Sequence, residues 1–101
     1  MVITEDIKGI ITGAAVITLV TVNADGTPHP IIAGKGEVEG DKVIFGIYKM
    51  VVTQENIKKN NKAWVVAGTM DQAPKGCRLA GTAVAQEKKL IFTASKAEEL
   101  I

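Results

Sequence analysis

The sequence has little of several residue types on which common functions depend. Its 101 residues include one histidine, one cysteine and only four aromatic side chains. A lone cysteine, Cys77, excludes an internal disulfide and is typical of a reducing compartment. The chain has no H-x-x-x-H or C-x-x-C spacing, no paired-carboxylate signature and no Ser/His/Asp set. We therefore predict neither a metal site nor a catalytic residue of these classes.

Charge of one sign and long hydrophobic runs are also scarce. Twelve Lys and Arg stand against eleven Asp and Glu, a formal net charge of +1, which gives no general attraction to nucleic acid or to an anionic membrane. The longest apolar stretch, residues 14–22, is interrupted by threonines and lacks the basic region and cleavage site of a signal peptide. These absences predict a cytoplasmic protein that binds no nucleic acid and no membrane.

What the chain does contain predicts one folded domain over residues 1–101. Hydrophobic residues make up 47% and charged residues 23% of the sequence, as in ordinary folded domains of this length. With so few aromatics, the core must be built from Ile, Val, Leu and Ala, a composition that favours β-sheet.

Local patterns predict two short helices and six strands. The first helix covers residues 3–13, with isoleucines at helical spacing, Thr4 as N-cap and Gly13 at its end. The second helix covers residues 51–60 and opens around Thr53. The strands are predicted at residues 14–23, 28–38, 43–48, 63–69, 76–86 and 89–95. Tight turns link them, and Asp-Gly at 25–26 is a strong hairpin signal. The fold class is mostly β, a closed or nearly closed small barrel, since closure removes sheet edges.

Glycines inside predicted strands need a reason, because glycine weakens a strand. Gly34, Gly36, Gly46 and Gly81 are such positions, and the second strand carries two prolines as well, so we expect a bulge or an edge there. Two explanations stay open for each glycine, a bulge or barrel corner, or close approach by a ligand or another chain.

One group of residues suggests an anion site. Lys35 and Lys49 flank the two middle strands near the helix that opens around Thr53, and a helix N-terminus with a hydroxyl and ammonium groups favours phosphate. The alternative is that Thr53 only caps its own helix and both lysines are solvated.

Two single residues have ordinary explanations: His29 is a surface histidine or an edge contact, and Cys77 is a small core or interface residue.

Four segments, in order along the chain, carry a family resemblance. They are NADGTPH at 23–29, the Met50-x-x-Thr53-x-x-Asn56 motif, Lys58-x-Asn60-x-Lys62-Ala63, and KGCRLAGTA at 75–83. With these motifs the sequence, from Ile7 to about Ala85, resembles the FMN-binding split β-barrel family, the pyridoxamine 5′-phosphate oxidase-like proteins. It is most similar to the small FMN-binding-protein branch of that family.

The resemblance implies a six-stranded antiparallel split β-barrel with two short helices that binds FMN at a homodimer interface. It also implies which residues hold the flavin, with the phosphate at the start of the second helix. Val52 stands where the family has its phosphate lysine, so Lys49 or Lys35 would supply the charge. The implied contacts are Ile32, Ala33 and Gly34 along the ring, Gly46, Ile47 and Tyr48 beside the ring and ribityl chain, and Lys49, Met50, Val51, Val52 and Thr53 around the phosphate, with Asn56 in the same motif.

Two functions from different classes follow. The first is a small flavoprotein that transfers electrons or acts as a flavin-dependent oxidoreductase on an unknown redox partner or small molecule; whether it is an enzyme stays open. The second is a binding module with the same barrel and no flavin. An oligonucleotide-binding barrel is disfavoured, because it would need aromatic stacking and a basic groove.

Overall fold

The computed structural model describes residues 1–47, 49–70 and 73–100. Within these ranges the chain forms two helices and a single sheet of seven strands, in which every neighbouring pair is antiparallel. The strand order across the sheet is β2-β1-β5-β6-β7-β4-β3. The elements are α1 (Glu5–Gly13), β1 (Thr18–Val22), β2 (Pro28–Ile32), β3 (Glu37–Glu39), β4 (Lys42–Gly46), α2 (Val51–Lys59), β5 (Lys62–Thr69), β6 (Lys75–Gln86) and β7 (Lys89–Glu99).

The first helix has the N-cap and the apolar stripe that its sequence predicts, together with acidic residues in its first turn. Thr4 is the N-cap, and its hydroxyl accepts a hydrogen bond from the Ile7 amide at 3.3 Å. Acidic residues occupy the first turn, where the helix dipole favours them. Its apolar stripe, Ile7, Ile10 and Ile11, is buried against the sheet. The predicted helix and its cap are confirmed.

The first hairpin also forms as the sequence predicts. Gly26 has φ of 87°, a conformation that glycine adopts without steric cost. The Asp25 carboxylate accepts hydrogen bonds from the Thr27 hydroxyl at 2.6 Å and the Thr27 amide at 3.1 Å, and these bonds lower the pKa of Asp25. The turn fixes the register of β1 on β2, in which Thr21 lies opposite His29.

The predicted second strand, residues 28–38, is wrong as a single element. The chain leaves β2 after Ile32 and enters β3 at Glu37, on the opposite edge of the sheet. Gly34 turns the chain with φ of 79°. Gly36 then passes close to the core, where a Cβ would lie 2.8 Å from Cγ1 of Val43. This break makes the number of strands seven instead of six.

The two edge strands form an open seam, so of the predicted closed or nearly closed barrel the closed form is wrong. No hydrogen-bonded register joins β2 to β3 among the described residues. The four residues between them nevertheless limit the separation of the edges. Five residue steps span at most about 18 Å, whereas a flat sheet of seven strands would be about 29 Å wide. The sheet therefore curls enough to bring the end of β2 within about 18 Å of the start of β3, which is consistent with a split barrel.

Other element boundaries shift by a few residues. The strand β1 is shorter than predicted and β7 runs on to Glu99, whereas α2 begins at Val51, the first residue of its predicted range. The helix α2 packs on β1 and β6. Within the described ranges, no helix is both long and apolar enough to cross a membrane.

Candidate functional site

A cleft opens at the seam, where β2 and β4 end and α2 begins. Its volume is about 440 Å³. We call it the seam cleft. It is lined by Ile31, Ile32, Ala33, Gly34, Gly46 and Met50. Five of these six residues are among those that the family resemblance implies for the flavin, four of them for its ring and Met50 for its phosphate, and the structure brings them together.

The backbone that leads into α2 is strained. Lys49 and Met50 have φ of 68° and 40°, and two successive side chains in the left-handed region cost about 1–2 kcal/mol each. The carbonyls of these residues are held by Gln54, whose amide donates to Met50 at 2.9 Å and whose side chain donates to Lys49 at 3.2 Å. Strain of this kind is found where a backbone is shaped to bind something.

The same segment leaves the start of α2 without a side-chain cap. Met50 occupies the N-cap position, and within the described residues no side chain caps the helix there. The first N–H groups of a helix have no intrahelical partner, and together with the helix dipole they favour an anion. The predicted N-terminal phosphate site therefore has a suitable backbone.

Thr53 is not the cap of this helix, which corrects the alternative interpretation of that residue. It is the third residue of α2, its side chain is 1% exposed, and its hydroxyl is the one buried side-chain oxygen of the described residues without a hydrogen-bond partner. A buried hydroxyl without a partner is costly. An orphaned hydroxyl beside an uncapped helix start fits a phosphate group.

The strain at Lys49 predicts a difference between two substitutions. We expect Lys49→Gly to be more stable than Lys49→Ala by about 1 kcal/mol, because glycine adopts a positive φ freely and alanine does not. Both variants lose the same ammonium group, so charge cancels in the comparison. Urea unfolding of the two proteins measures the difference. Equal stability would contradict a left-handed Lys49.

The remaining residues of the predicted site are more dispersed. Val51 and Val52 are 70% and 49% exposed on the first turn of α2. Ile47 packs against the core, and its amide donates to the Lys88 carbonyl at 2.9 Å. Tyr48 lies outside the described residues.

Two predicted residues line other clefts. Asn56 lies on the buried face of α2, where its side-chain amide donates to the Thr21 hydroxyl at 3.1 Å and to the Asn23 side-chain oxygen Oδ1 at 3.0 Å. It borders a separate cleft of about 270 Å³ at the first hairpin. Lys35 lines a neighbouring cleft that shares only Gly46 with the seam cleft. The sequence motifs alone do not reveal that Asn56 and Lys35 lie outside the seam cleft.

Sequence reasoning missed Ile31 of the seam cleft. The residue is half-buried on β2 and packs against the core. Its position next to three implied ring contacts was a signal that could have found it. A larger cleft of about 520 Å³ lies elsewhere, between Gly13 and Lys75, and none of the predicted site residues lines it.

Side chains with chemical reactivity lie away from the seam cleft. Cys77 is fully buried in β6, and burial raises the pKa of its thiol, so the prediction of a core cysteine is confirmed. His29 is half-buried on β2. Among the described residues, no three His, Cys, Asp or Glu side chains are grouped to hold a metal ion.

A curled antiparallel sheet with an open seam and two helices is consistent with a split β-barrel. The comparisons with known proteins give the family. The chain belongs to the pyridoxamine 5′-phosphate oxidase family, which matches it over residues 3–99. None of the curated protein sequences compared with it matches.

Solved structures with this fold have low sequence identity to the chain. HupZ of Group A Streptococcus has a TM-score of 0.80 at 19% identity, over 96% of this chain and 93% of that one. An FMN-binding protein from Syntrophomonas wolfei has a TM-score of 0.77 at 18% identity, over 93% and 83%. A heme-binding protein from Mycobacterium smegmatis has a TM-score of 0.77 at 14% identity, over 92% and 51%. At these identities the likeness shows the shared fold alone.

Proposed function

We propose that the chain is a small FMN-binding flavoprotein of the cytoplasm that transfers electrons or reduces a small molecule. The observation that carries the proposal is the uncapped start of α2, with its strained Lys49-Met50 backbone, at the mouth of an apolar cleft. One end of this arrangement suits a phosphate and the other suits a flat apolar ring. Membership of the oxidase family and the FMN-binding structural neighbour support it.

Each part of the cleft has a task in this function. Ile32 and Met50 offer apolar contact to the ring, and Gly46 leaves its backbone accessible, since a Cβ there would meet no described atom within 4 Å. The helix start and the Lys49 ammonium hold the phosphate. FMN, when bound, supplies the one- and two-electron chemistry. The side chains of the cleft lining carry no acid or base, which favours electron transfer or simple reduction over proton-assisted chemistry.

Titration with several cofactors tests this proposal. The purified protein is first scanned for flavin absorbance near about 370 and 450 nm. Calorimetry with FMN, riboflavin, FAD and hemin follows. We expect FMN to bind at least about tenfold more tightly than riboflavin, because the phosphate adds a charged hydrogen-bonding group. Equal affinity for the two would remove the phosphate site. Binding of hemin alone would indicate a heme protein, and binding of no cofactor would favour the flavin-free binding module.

Thr53→Val separates the role of the buried hydroxyl in stability from its role in binding. Without cofactor we expect the variant to be more stable by about 1 kcal/mol, because the orphaned hydroxyl is replaced by a methyl group of similar size. With FMN we expect an affinity about tenfold lower, while riboflavin binding is unchanged. Unfolding and calorimetry measure the two effects. An unchanged FMN affinity would place the phosphate away from Thr53.

The protein works as a homodimer in this proposal. Outward side chains on β2, β1, β5 and β6 form a face that is apolar apart from Thr18 and, at its margin, Arg78, according to the strand register and the exposure of each residue. A small barrel gains stability when such a face is covered. The face consists of Pro30, Ile32, Val20, Trp64, Val66 and Ala80.

A charge placed on this face tests the dimer. We expect light scattering to give a dimeric mass for the wild-type chain at micromolar concentration and a monomeric mass for Val20→Glu, because a dimer would bury the new carboxylate. Val84→Glu, which changes an outward valine of β6 that is 51% exposed, is the matched control and should stay dimeric. A monomeric wild-type protein would contradict the proposal.

A further inference from the structure

A second cleft adjoins the seam cleft at the rim of the sheet. We call it the lysine cleft. It has a volume of about 430 Å³ and is lined by Thr12, Lys35, Gly36, Glu37, Ile44, Gly46 and Lys89. Gly46 lines both clefts, and its missing side chain leaves only backbone between them at that point.

The strand register brings the charges of this cleft together from distant parts of the chain. Lys89 opens β7 and pairs with Gly46 at the end of β4. Glu37 opens β3 and pairs with Ile44, while Lys35 lies two residues before Glu37. The charged side chains in the lining are thus two lysines and one glutamate. All three are exposed, so the cleft is accessible to a soluble ligand and has a net positive charge.

An apolar surface continues from the same cleft. Ile44 pairs with Ile91, and Ile91 pairs with Val84, so these three side chains form a row on the outward face of β4, β7 and β6. Val84 is 51% exposed, and the two isoleucines are partly exposed. A ligand held by the lysines therefore has apolar contact available for the rest of its body.

We infer that the lysine cleft binds a small organic anion, an oxyanion group attached to an apolar body. Lys35 and Lys89 pair with the oxyanion, and the row that starts at Ile44 contacts the apolar part. The Glu37 carboxylate repels the anion and so limits the negative charge that the ligand can carry. That this ligand is the reactant of the flavin rests on the proposed function, and it is supported by Gly46, which lines both clefts. The anion site itself does not depend on flavin.

Titration of the cofactor-free, ¹⁵N-labelled chain with benzoate tests the site, with neutral benzamide as the matched probe. We expect benzoate to shift the amide signals of Gly36 and Gly46 saturably, and benzamide to bind at least about tenfold more weakly. Lys35→Ala and Lys89→Ala should each weaken benzoate binding about three- to tenfold, a modest loss because exposed ammonium groups are screened by water. Glu37→Gln should strengthen it. Lys96→Ala removes an equivalent charge from β7 outside the cleft and should change nothing.

Two results would overturn the inference. One is equal binding of benzoate and benzamide, since the lysines would then have no role. The other is an unchanged benzoate affinity in both lysine variants, which would place the anion elsewhere. A protein that fails to bind FMN but passes this test would refute the proposed function and keep the anion site. A protein that binds FMN but fails this test would refute the anion site and keep the proposed function.

Discussion

Replacing Gly81 with alanine is expected to lower the free energy of unfolding by about 3 kcal/mol, the upper end of what overpacking costs. A Cβ at this position would overlap the carbonyl oxygen of Thr93 and lie 3.0 Å from Cα of Ala94. Those atoms belong to the backbone of β7, which cannot turn away as a side chain can. The two central strands would have to separate locally, at the cost of hydrogen bonds in the ladder.

The geometry of a β-bulge explains this tight approach. The register shifts between Ala80 and Gly81, so that Ser95 is an extra residue on β7. The Ser95 hydroxyl donates to the Ala80 carbonyl at 3.2 Å. Gly46→Ala is the matched control, because a Cβ at that strand glycine would meet no described atom within 4 Å. Urea unfolding should show a large loss for Gly81→Ala and little change for Gly46→Ala; equal losses would contradict the close approach.

Asn56→Leu is expected to cost about 3 kcal/mol of unfolding free energy. The Asn56 amide donates to the Thr21 hydroxyl and to the Asn23 side chain beneath α2, and Thr21 is fully buried. Leucine has a similar size but no donor, so the Thr21 hydroxyl would be left unpaired in the core. These hydrogen bonds hold α2 on β1. Loss of the bonds should also weaken binding at the start of that helix.

A second substitution checks this explanation. When both partners of a buried hydrogen bond become apolar, much of the penalty disappears. We therefore expect Thr21→Val combined with Asn56→Leu to be more stable than Asn56→Leu alone, by about 1 kcal/mol. A strictly additive double variant would show that the Asn56–Thr21 bond contributes nothing.

Local sequence patterns predicted most elements of the fold, because each depends on neighbouring residues. The Thr4 cap, the Asp25-Gly26 turn and the alternation of buried residues in β5 act over a few positions. The predictions are wrong where contacts between residues distant in the sequence determine the structure. The turn at residues 33–36 depends on Gly36 packing beside Val43. The seam depends on how seven twisted strands curl, and a linear pattern does not contain that information.

The candidate site also combines residues that the sequence places correctly with residues whose position depends on distant contacts. Residues 32–34 and Met50 meet in one cleft, as the family resemblance implies, and their role in binding stays a prediction. Lys35 was assigned to the same site, yet the chain turns at Gly34 and the next residue lines the lysine cleft. No local sequence pattern brings Lys89 near this site. Only the pairing of β4 with β7 places it beside Gly46.

The position of the seam has a consequence for how the molecule opens. In the described sheet, β1, β5, β6, β7 and β4 each have a partner on both sides, whereas β2 and β3 have one. Amide hydrogens in these five inner strands should exchange with solvent mainly through large-scale unfolding, while those of the two edges exchange through small local openings. The seam cleft can therefore widen or narrow without breaking a backbone ladder. A single rigid scaffold could in this way accept ring systems of different width while its core stays closed to water.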